Sequence, residues 1–315
     1  APIGEAMASV QVRILKSGRT DTYGLPLIPG SVVTVDRDYA VSLVSTGFAS
    51  WMNLADAYDG GTNLRKPSEN YVLFQSVIPF WIPPGDAGAN GLSLAADGTF
   101  TLSAESPMAN AFNALASGGY CYLPAGAGGL ATGGWFWCRM IDGTNGQVFQ
   151  QTHSGTGPPA FVSSPTSFAG LTPGRITQIT SEIYGPSFTM PGGSLGPNGI
   201  SEFSFRWFTS STAGVKSARL RTGGGVAWFS GLTTTTSNSL TAQATRSNMG
   251  SQSRQIGNRT GSGSGWDSLG ATTYASDVTA VDTSVDVTLT VTAQVAANTD
   301  SIIIVPMQFT VQYGV

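Results

Sequence analysis

The stretch 281-VDTSVDVTLTVTAQ-294 constrains the fold of this chain more than any other segment. Apolar or small residues alternate with polar ones along all fourteen positions, so that Val287, Leu289 and Val291 fall on one side. Because successive side chains of a β-strand point to opposite faces, this pattern predicts a strand with one buried and one polar face. Strands usually hold about five or six residues, so the alternation predicts an unusually long strand near the C-terminus.

The composition favours strands and turns over helices. Charged residues make up only 10% of the 315 residues, against roughly 25% in an ordinary soluble domain, while hydrophobic residues make up 41%. Polarity comes from Ser, Thr, Asn and Gln, and the 41 glycines and 17 prolines suit corners between strands. The net charge of −3, without a basic run, argues against nucleic-acid binding. No apolar run reaches the ~18–20 residues of a membrane span, so membrane insertion is not expected.

The first residues and the cysteines bear on where the chain folds. The start, APIGEAMASVQV, has no basic region followed by a hydrophobic one, so we expect no signal peptide and synthesis in a cytoplasm, with reduced cysteines. Cys121 and Cys138 each lie among aromatic residues, and both buried free thiols and a disulfide between them are consistent with this. A zinc site would need two more ligands, and the chain has a single His.

The pattern of strand and turn signals changes along the chain and predicts a mainly β protein. The predicted parts are a small α+β anchor module, a linker, an aromatic-rich and mostly β middle domain, and a C-terminal β-sandwich of jelly-roll type, at residues 1–55, 56–70, 71–180 and 181–315 respectively. In the anchor module, strands are predicted at 10–15 and 31–36, with a helix from Asp36 to Gly47. A second helix is predicted within 105–119, where glycines can end it.

A catalytic centre would require titratable side chains that converge. His153 lies in a loop-like stretch in which no partner is suggested. The tract 192-GGSLG-196 matches the pattern of a nucleophile elbow, but the prolines at 191 and 197 do not fit the strand and the helix that such an elbow needs.

Carboxylates are the more serious catalytic candidates. Asp282 and Asp286 fall on one face of the predicted strand about 13 Å apart, beyond the roughly 5–9.5 Å of glycosidase pairs. Glu202 could complete a pair from a neighbouring strand, whereas the alternative is a solvated face that protects an edge from aggregation. We favour the latter and expect no catalytic residue, no cofactor and no metal.

Several short sequence motifs are similar to motifs of structural proteins of tailed bacteriophages. The stretches 120-YCYLPAGAGGLATGGWFW-137 and 147-QVFQQTHSGTGPPAF-161 resemble a module of phage fibre and head-decoration proteins. The trimeric jelly-roll module that often ends such proteins resembles 194-SLGPNGISEFSF-205, 215-VKSARLR-221, 256-IGNRTGSGSG-265 and the segment 281–311. The resemblance covers about residues 70–315, and the first fifty residues look like small anchoring modules of phage head proteins.

The resemblance implies a virion structural protein without enzymatic activity, made in the bacterial host. We expect a decoration protein or short head fibre on the capsid exterior, since the sequence offers no coiled coil, β-helix or collagen-like tract for a long shaft. A tail fibre or receptor-binding protein is the alternative, and a polysaccharide depolymerase is a further rival. The implied partners are the major capsid protein or another virion protein, further copies in a homotrimer, and a host-surface glycan.

Two sets of residues are candidates for these contacts. The anchor module is so small that it should be only marginally stable by itself, and its first strand could add to a sheet of the capsid partner. The capsid-anchor candidates are its apolar strand residues, Val10, Val12, Ile14, Val33 and Val35. The trimer-interface candidates are the polar residues of the last two strands, Thr288, Thr290, Thr292, Gln308, Thr310 and Gln312.

Overall fold

The computed structural model describes residues 9–14, 19–20, 26–28, 31–46, 48–51, 70–85, 91–103, 110–166, 168, 170–223, 225–234, 239–262 and 277–314. In these ranges the chain forms twenty strands, two short α-helices and one 3-10 turn. The predicted mainly β class is therefore confirmed. The predicted linker at 56–70 lies outside the described residues except for its last position.

The N-terminal module is a three-stranded antiparallel sheet with a helix packed on one face. Its elements are β1 (Ser9–Ile14), β2 (Val32–Asp36), α1 (Arg37–Ser45) and β3 (Ala49–Trp51). The helix begins directly after Asp36, as predicted. The core of the module consists of the apolar residues that the alternation and the helical spacing place inward, Val12, Ile14, Leu27, Val35, Ala40, Leu43 and Ala49.

The next part of the chain contributes eight strands and the second helix. They are β4 (Asn70–Ser76), β5 (Phe80–Ile82), β6 (Leu92–Leu94), β7 (Thr99–Leu102), α2 (Asn110–Leu115), β8 (Gly119–Leu123), β9 (Gly134–Met140), β10 (Asn145–Ser154) and β11 (Gly174–Arg175). The helix occupies part of the predicted range, of which 105–109 lie outside the described residues. A 3-10 turn, Ala127–Gly129, joins β8 to β9 at the small-residue stretch.

The C-terminal part contributes nine strands and no helix among its described residues. They are β12 (Ile183–Met190), β13 (Ile200–Thr209), β14 (Lys216–Thr222), β15 (Ala227–Thr234), β16 (Ser239–Asn248), β17 (Gln255–Ser262), β18 (Asp277–Thr279), β19 (Val287–Val295) and β20 (Ile302–Gln312). The long strands follow the alternation of the sequence, since Phe203, Phe205 and Trp207 on β13 are all buried.

The strands outside the N-terminal module form two sheets with one apolar core between them, and a second apolar core lies on the other face of part of the large sheet. The large sheet has thirteen strands in the order β11-β6-β7-β10-β9-β8-β5-β20-β13-β16-β17-β18, with β4 paired to β20. The small sheet has the order β12-β19-β14-β15. One cluster of buried side chains includes Leu289 and Val291 of the small sheet and Phe205 and Phe309 of the large sheet. The two sheets therefore pack face to face over this part of the chain, while the finer jelly-roll assignment stays a prediction.

The boundary predicted near residue 180 does not separate two sheets. β4 pairs with Met307–Gln312, and β5 pairs with Ile302–Ile304, so that β20 binds strands from the predicted middle domain along one edge. Its other edge pairs with β13 of the predicted C-terminal domain. The two predicted domains share a sheet, a long-range pairing that local composition does not encode.

The strand predicted at 281–294 is shorter than the alternation suggests. β19 begins only at Val287. Before it, Asp282 accepts hydrogen bonds from the backbone N–H of Ser284 (2.9 Å) and from its hydroxyl (2.6 Å). Asp286 accepts one from the N–H of Gly192 (2.9 Å). Short polar side chains that bond the backbone two residues on favour turns, and here this local preference overrides the alternation.

Pro306 lies at an irregularity inside β20, as its presence in a strand predicts. The pairing with β13 shifts between Phe205, opposite Met307, and Trp207, opposite Ile304, so that β20 holds one extra residue. A bulge leaves a residue out of the ladder and thereby accommodates a proline, which has no N–H to donate. Pro306 thus lies at a bulge in a strand that is paired on both sides.

Neighbouring residues of β19 provide a test of the shared core. Leu289 is fully buried between the two sheets, whereas Thr288 is exposed. Leu289→Ala should lower the free energy of unfolding by about 2–5 kcal/mol, because it removes buried methyl groups and leaves a cavity. Thr288→Ala should change it by less than about 0.5 kcal/mol. Urea denaturation of both variants measures the difference, and equal effects would contradict the assigned faces.

Candidate functional surfaces

Two of the three carboxylates considered for catalysis accept hydrogen bonds from turn residues of the chain. Asp282 and Asp286 lie in the loop before β19, and their oxygens accept from Ser284 and Gly192. The hydrogen bonds from Ser284 lower the pKa of Asp282 below its usual value of 3.8. Glu202 lies on β13, in the large sheet, and pairs there with Thr245 and Thr310. The three carboxylates thus have different neighbours. Asp282 and Asp286 were predicted to lie on a strand face, but they lie in a loop.

The GGSLG tract is a turn between two strands and not a nucleophile elbow. It joins β12 to β13, so a strand follows it where the elbow needs a helix. Ser194 is fully buried, which keeps its hydroxyl away from any substrate in solution. Gly193 (φ 75°) and Gly196 (φ 63°) adopt left-handed backbone conformations that favour glycine. His153, the other candidate, lies on β10 opposite Trp135 and is half-buried.

The two cysteines are buried free thiols. Cys121 lies on β8 and Cys138 on the neighbouring β9, offset diagonally by the register that places Cys121 opposite Phe136. Burial raises the pKa of the Cys121 thiol well above its usual value, and the adjacent thiol raises it further. Because both thiols are inaccessible to solvent, both cysteines act as small core residues.

One buried ion pair braces an end of the small sheet. Lys216, at the start of β14, and Asp300, in the loop before β20, are both fully buried, with Nζ and Oδ1 3.6 Å apart. The ammonium group also donates to the carbonyls of Thr212 (2.7 Å) and Gly214 (2.8 Å). Burial lowers the pKa of Lys216, while the charge of Asp300 opposes that shift. The pair is satisfied by its own loops and is therefore structural.

Neither a metal cluster nor a membrane-spanning helix is found in the part of the chain that the structure describes. Within these ranges, no group of three or more His, Cys, Asp and Glu side chains is placed so as to hold a metal ion. Neither of the two described helices is long and apolar enough to span a membrane.

Four of the five capsid-anchor candidates belong to the core of the N-terminal module or pack against it. Val12, Ile14 and Val35 are almost completely buried, and Val33 packs against them. Val10 pairs with Val35 through the backbone, and its side chain lies outside the described residues. Burial explains the spacing of these residues, because their side chains hold the module together. The buried valines and Ile14 are therefore not available for direct contact with a partner.

Among the strands that the structure describes, β2 lies at an edge of the module and β1 does not. β1 is the central strand of the module, with β2 on one side and β3 on the other, so it cannot accept a further strand. This corrects the prediction that the first strand adds to a partner's sheet. The N–H of Ile14, the last residue of β1, donates to the carbonyl of Ser31, just before β2 (2.9 Å), which identifies these two opposite residues as a hydrogen-bonded pair. Because bonded and non-bonded pairs alternate along an antiparallel ladder, the backbone N–H and C=O groups of Val32 and Thr34 point toward the outer edge.

The predicted interface on β19 is largely occupied by the chain itself. Thr290 bonds the hydroxyl of Ser187 (2.7 Å), and Thr292 donates to the carboxylate of Glu182. Both threonines are buried although they lie on the outward side of the small sheet, and only Thr288 of the three candidates is exposed. Thr290 and Thr292 are thus in intramolecular contacts, which alternation alone could not reveal.

Glu182 is the centre of this polar cluster on the small sheet. Arg221 holds its carboxylate with two bonds, Nε to Oε1 at 2.8 Å and Nη2 to Oε2 at 2.7 Å, and Arg219 lies 3.4 Å from Oε1. Partial burial raises the pKa of Glu182, but the hydrogen bonds from Arg221 and Thr292 and the two positive charges outweigh it, so the pKa is lowered. Sequence reasoning missed Glu182, which precedes β12 and has no distinctive local pattern.

The outward side of the large sheet is different. Its alternate residues on β13 and β20, such as Phe203 and Phe309, are buried in the shared core, so the residues between them face outward. We name as the polar face the outward residues of three neighbouring strands, Gln308, Thr310 and Gln312 on β20, Glu202, Ser204 and Arg206 on β13, and Thr241, Gln243, Thr245 and Ser247 on β16. All ten are exposed or half-exposed. Three of the predicted interface residues therefore belong to an accessible surface.

Comparisons with known proteins identify no relative. No family model matches the chain, no curated protein is similar to it, and no solved structure matches it.

The cluster around Glu182 predicts a specific dependence of stability on pH. Because the folded state lowers the pKa of Glu182 below its usual value of 4.5, its contribution is present above that pH and is lost as the pH falls through the folded pKa. Glu182→Gln should cost about 1 kcal/mol at pH 7, where the charged hydrogen bonds are partly solvated. As the pH falls below 4.5 and through the lowered pKa of Glu182, the wild type should lose stability relative to the variant. Chemical denaturation across this range tests it, and a pH-independent difference would count against the assignment.

Proposed function

We propose that this chain is a structural component of a tailed-phage virion, attached to the capsid exterior as a decoration protein or short head fibre. In this proposal it works as a homotrimer and has no catalytic role. The observation that carries the proposal is the N-terminal module, a small, separately cored unit in which β2 has an edge that pairs with no other described strand. Such an edge suits attachment to a partner's sheet through the backbone.

The edge of β2 has few of the devices that usually protect sheet edges. Its five residues, VVTVD, contain no proline and no lysine, and one side chain on it, Val32, is 44% exposed. Ile28, just before the strand, is 66% exposed. Natural edges are usually blunted by charge, proline or a covering segment, so a β-branched edge with apolar neighbours is typical of a docking site. The capsid protein, or another virion protein, would supply the added strand.

The motif that carries the phage resemblance forms one packed unit in this chain. The small-residue turn at Ala127–Gly129 joins the apolar strand β8 to the aromatic strand β9. From β9, the indole N–H of Trp135 donates to the carbonyl of Gly157 (2.8 Å) in the SGTGPP loop and to that of Tyr184 (2.9 Å). The two motifs that carry the resemblance are therefore in contact, since Trp135 from one motif holds the loop of the other against the sheet.

A receptor-binding tail protein is the second candidate, because the polar face of the large sheet could meet a host-surface glycan. The position of the protein on the particle separates the candidates. Particles of the phage that encodes this chain should carry gold-labelled antibodies on the head in electron micrographs. Label confined to the tail tip would favour the receptor-binding alternative. Release of oligosaccharide from host capsule or lipopolysaccharide by the purified protein would instead favour the depolymerase.

A single substitution on β2 tests attachment through its edge. Thr34→Pro removes an N–H that points away from β1, so the module's own ladder keeps its hydrogen bonds. We expect the variant to bind particles that lack this protein at least about tenfold more weakly in a co-sedimentation assay, because a backbone bond in the middle of the added strand is lost. Thr34→Val is the matched control, since it keeps the N–H. Unchanged binding by Thr34→Pro would refute attachment at this edge.

A further inference from the structure

The polar face is almost free of charge, and its residues stand in regular rows. Across the three strands, Glu202 is flanked by Thr310 and Thr245, and Ser204 by Gln308 and Gln243. Of the ten residues that define the face, only Glu202 and Arg206 are charged. Hydroxyl and amide groups can hydrogen-bond across an interface without the desolvation cost of Lys or Glu.

The two charges are placed on opposite sides of the centre of this face. Glu202 and Arg206 lie on the same strand with Ser204 between them, which separates them by about 13 Å at the standard rise. In the described part of the chain neither forms an ion pair, and Arg206 donates to the hydroxyl of Ser239 at 3.2 Å. On the small sheet, by contrast, Glu182 is ion-paired with Arg219 and Arg221 within the chain.

A surface with one acid on one side and one base on the other is complementary to a copy of itself. In a closed ring of identical subunits, one side of each contact surface meets the opposite side of the same surface on the next subunit. Glu202 of each copy would then face Arg206 of its neighbour, with the neutral rows between them. A partner with a single sign of charge would leave one of the two residues facing a like charge.

We propose that a second copy of this chain covers the polar face, with Glu202 of one subunit paired to Arg206 of the next. This inference rests on the proposed homotrimer and assigns its contact surface to β20, β13 and β16. It excludes the outward side of β19 from that surface, because Thr290 and Thr292 are already bonded within the chain.

A charge swap in the full-length protein tests this pairing. Wild type should sediment as a trimer, three times the chain mass of 32.5 kDa. Glu202→Arg and Arg206→Glu should each weaken assembly at least about tenfold, because each puts like charges face to face. The double swap should restore assembly to within about threefold of wild type, because it re-forms the pair with its signs exchanged. Thr288→Arg, an exposed position on the small sheet, is the matched control and should assemble normally.

A cross-linking variant gives a second readout, which does not depend on the single swaps remaining folded. Within one chain, residues 202 and 206 are about 13 Å apart, too far for a disulfide, which needs Cα atoms within about 7 Å. A variant with Glu202→Cys and Arg206→Cys should therefore form disulfides only between subunits on mild oxidation, giving covalent trimers on a non-reducing gel. Glu202→Cys alone should not, since position 202 faces position 206 of its neighbour.

The outcomes separate this inference from the proposed function. Trimers that ignore both charge swaps and do not cross-link would overturn the assigned surface, and a monomer of 32.5 kDa at every concentration would overturn the self-pairing altogether. In either case, gold label on the phage head would still support a virion structural role. Loss of the trimer in both single variants together with its recovery in the double swap supports the inference.

Discussion

The packing of the small sheet on one half of the large sheet is the interaction on which the rest of the structure depends. Each sheet buries one side of its alternating strands in the same core, with Trp207 and Phe309 from one layer and Leu289 from the other. Removing apolar surface from water is the main favourable term in folding, and neither layer could bury its apolar side alone. The outward sides of both sheets, and hence every candidate surface of this part of the chain, are fixed by that packing.

The outward sides of the two sheets differ in their contacts although their sequences are similar. Both are rich in Thr, Ser and Gln at alternate positions. On the small sheet, Glu182 and its arginines turn those positions into an internal network, whereas on the large sheet the rows stay accessible. Neutral polar strands thus form an internal network on one sheet and an accessible surface on the other.

Local pattern predicts the strands well and their partners poorly. The alternation of β13 and the helix that begins after Asp36 are predictable because each depends on neighbours in sequence. The pairing of β4 and β5 with β20 joins segments more than two hundred residues apart, for which a single sequence holds no signal. For the surfaces, alternation predicts the side on which Thr292 and Thr310 lie. Alternation does not reveal that Thr292 is bonded to Glu182, or that Val12 and Val35 pack against the helix of their own module.

The position of β20 has a consequence for how the chain acquires its structure. It is the last strand in chain order among those described, yet it pairs on one edge with residues 70–82 and on the other with β13. During synthesis, the edges of β13 and β4 that pair with β20 therefore stay unpaired until β20 has left the ribosome. Contacts of such large sequence separation make folding slow and expose strand edges to other chains in the meantime.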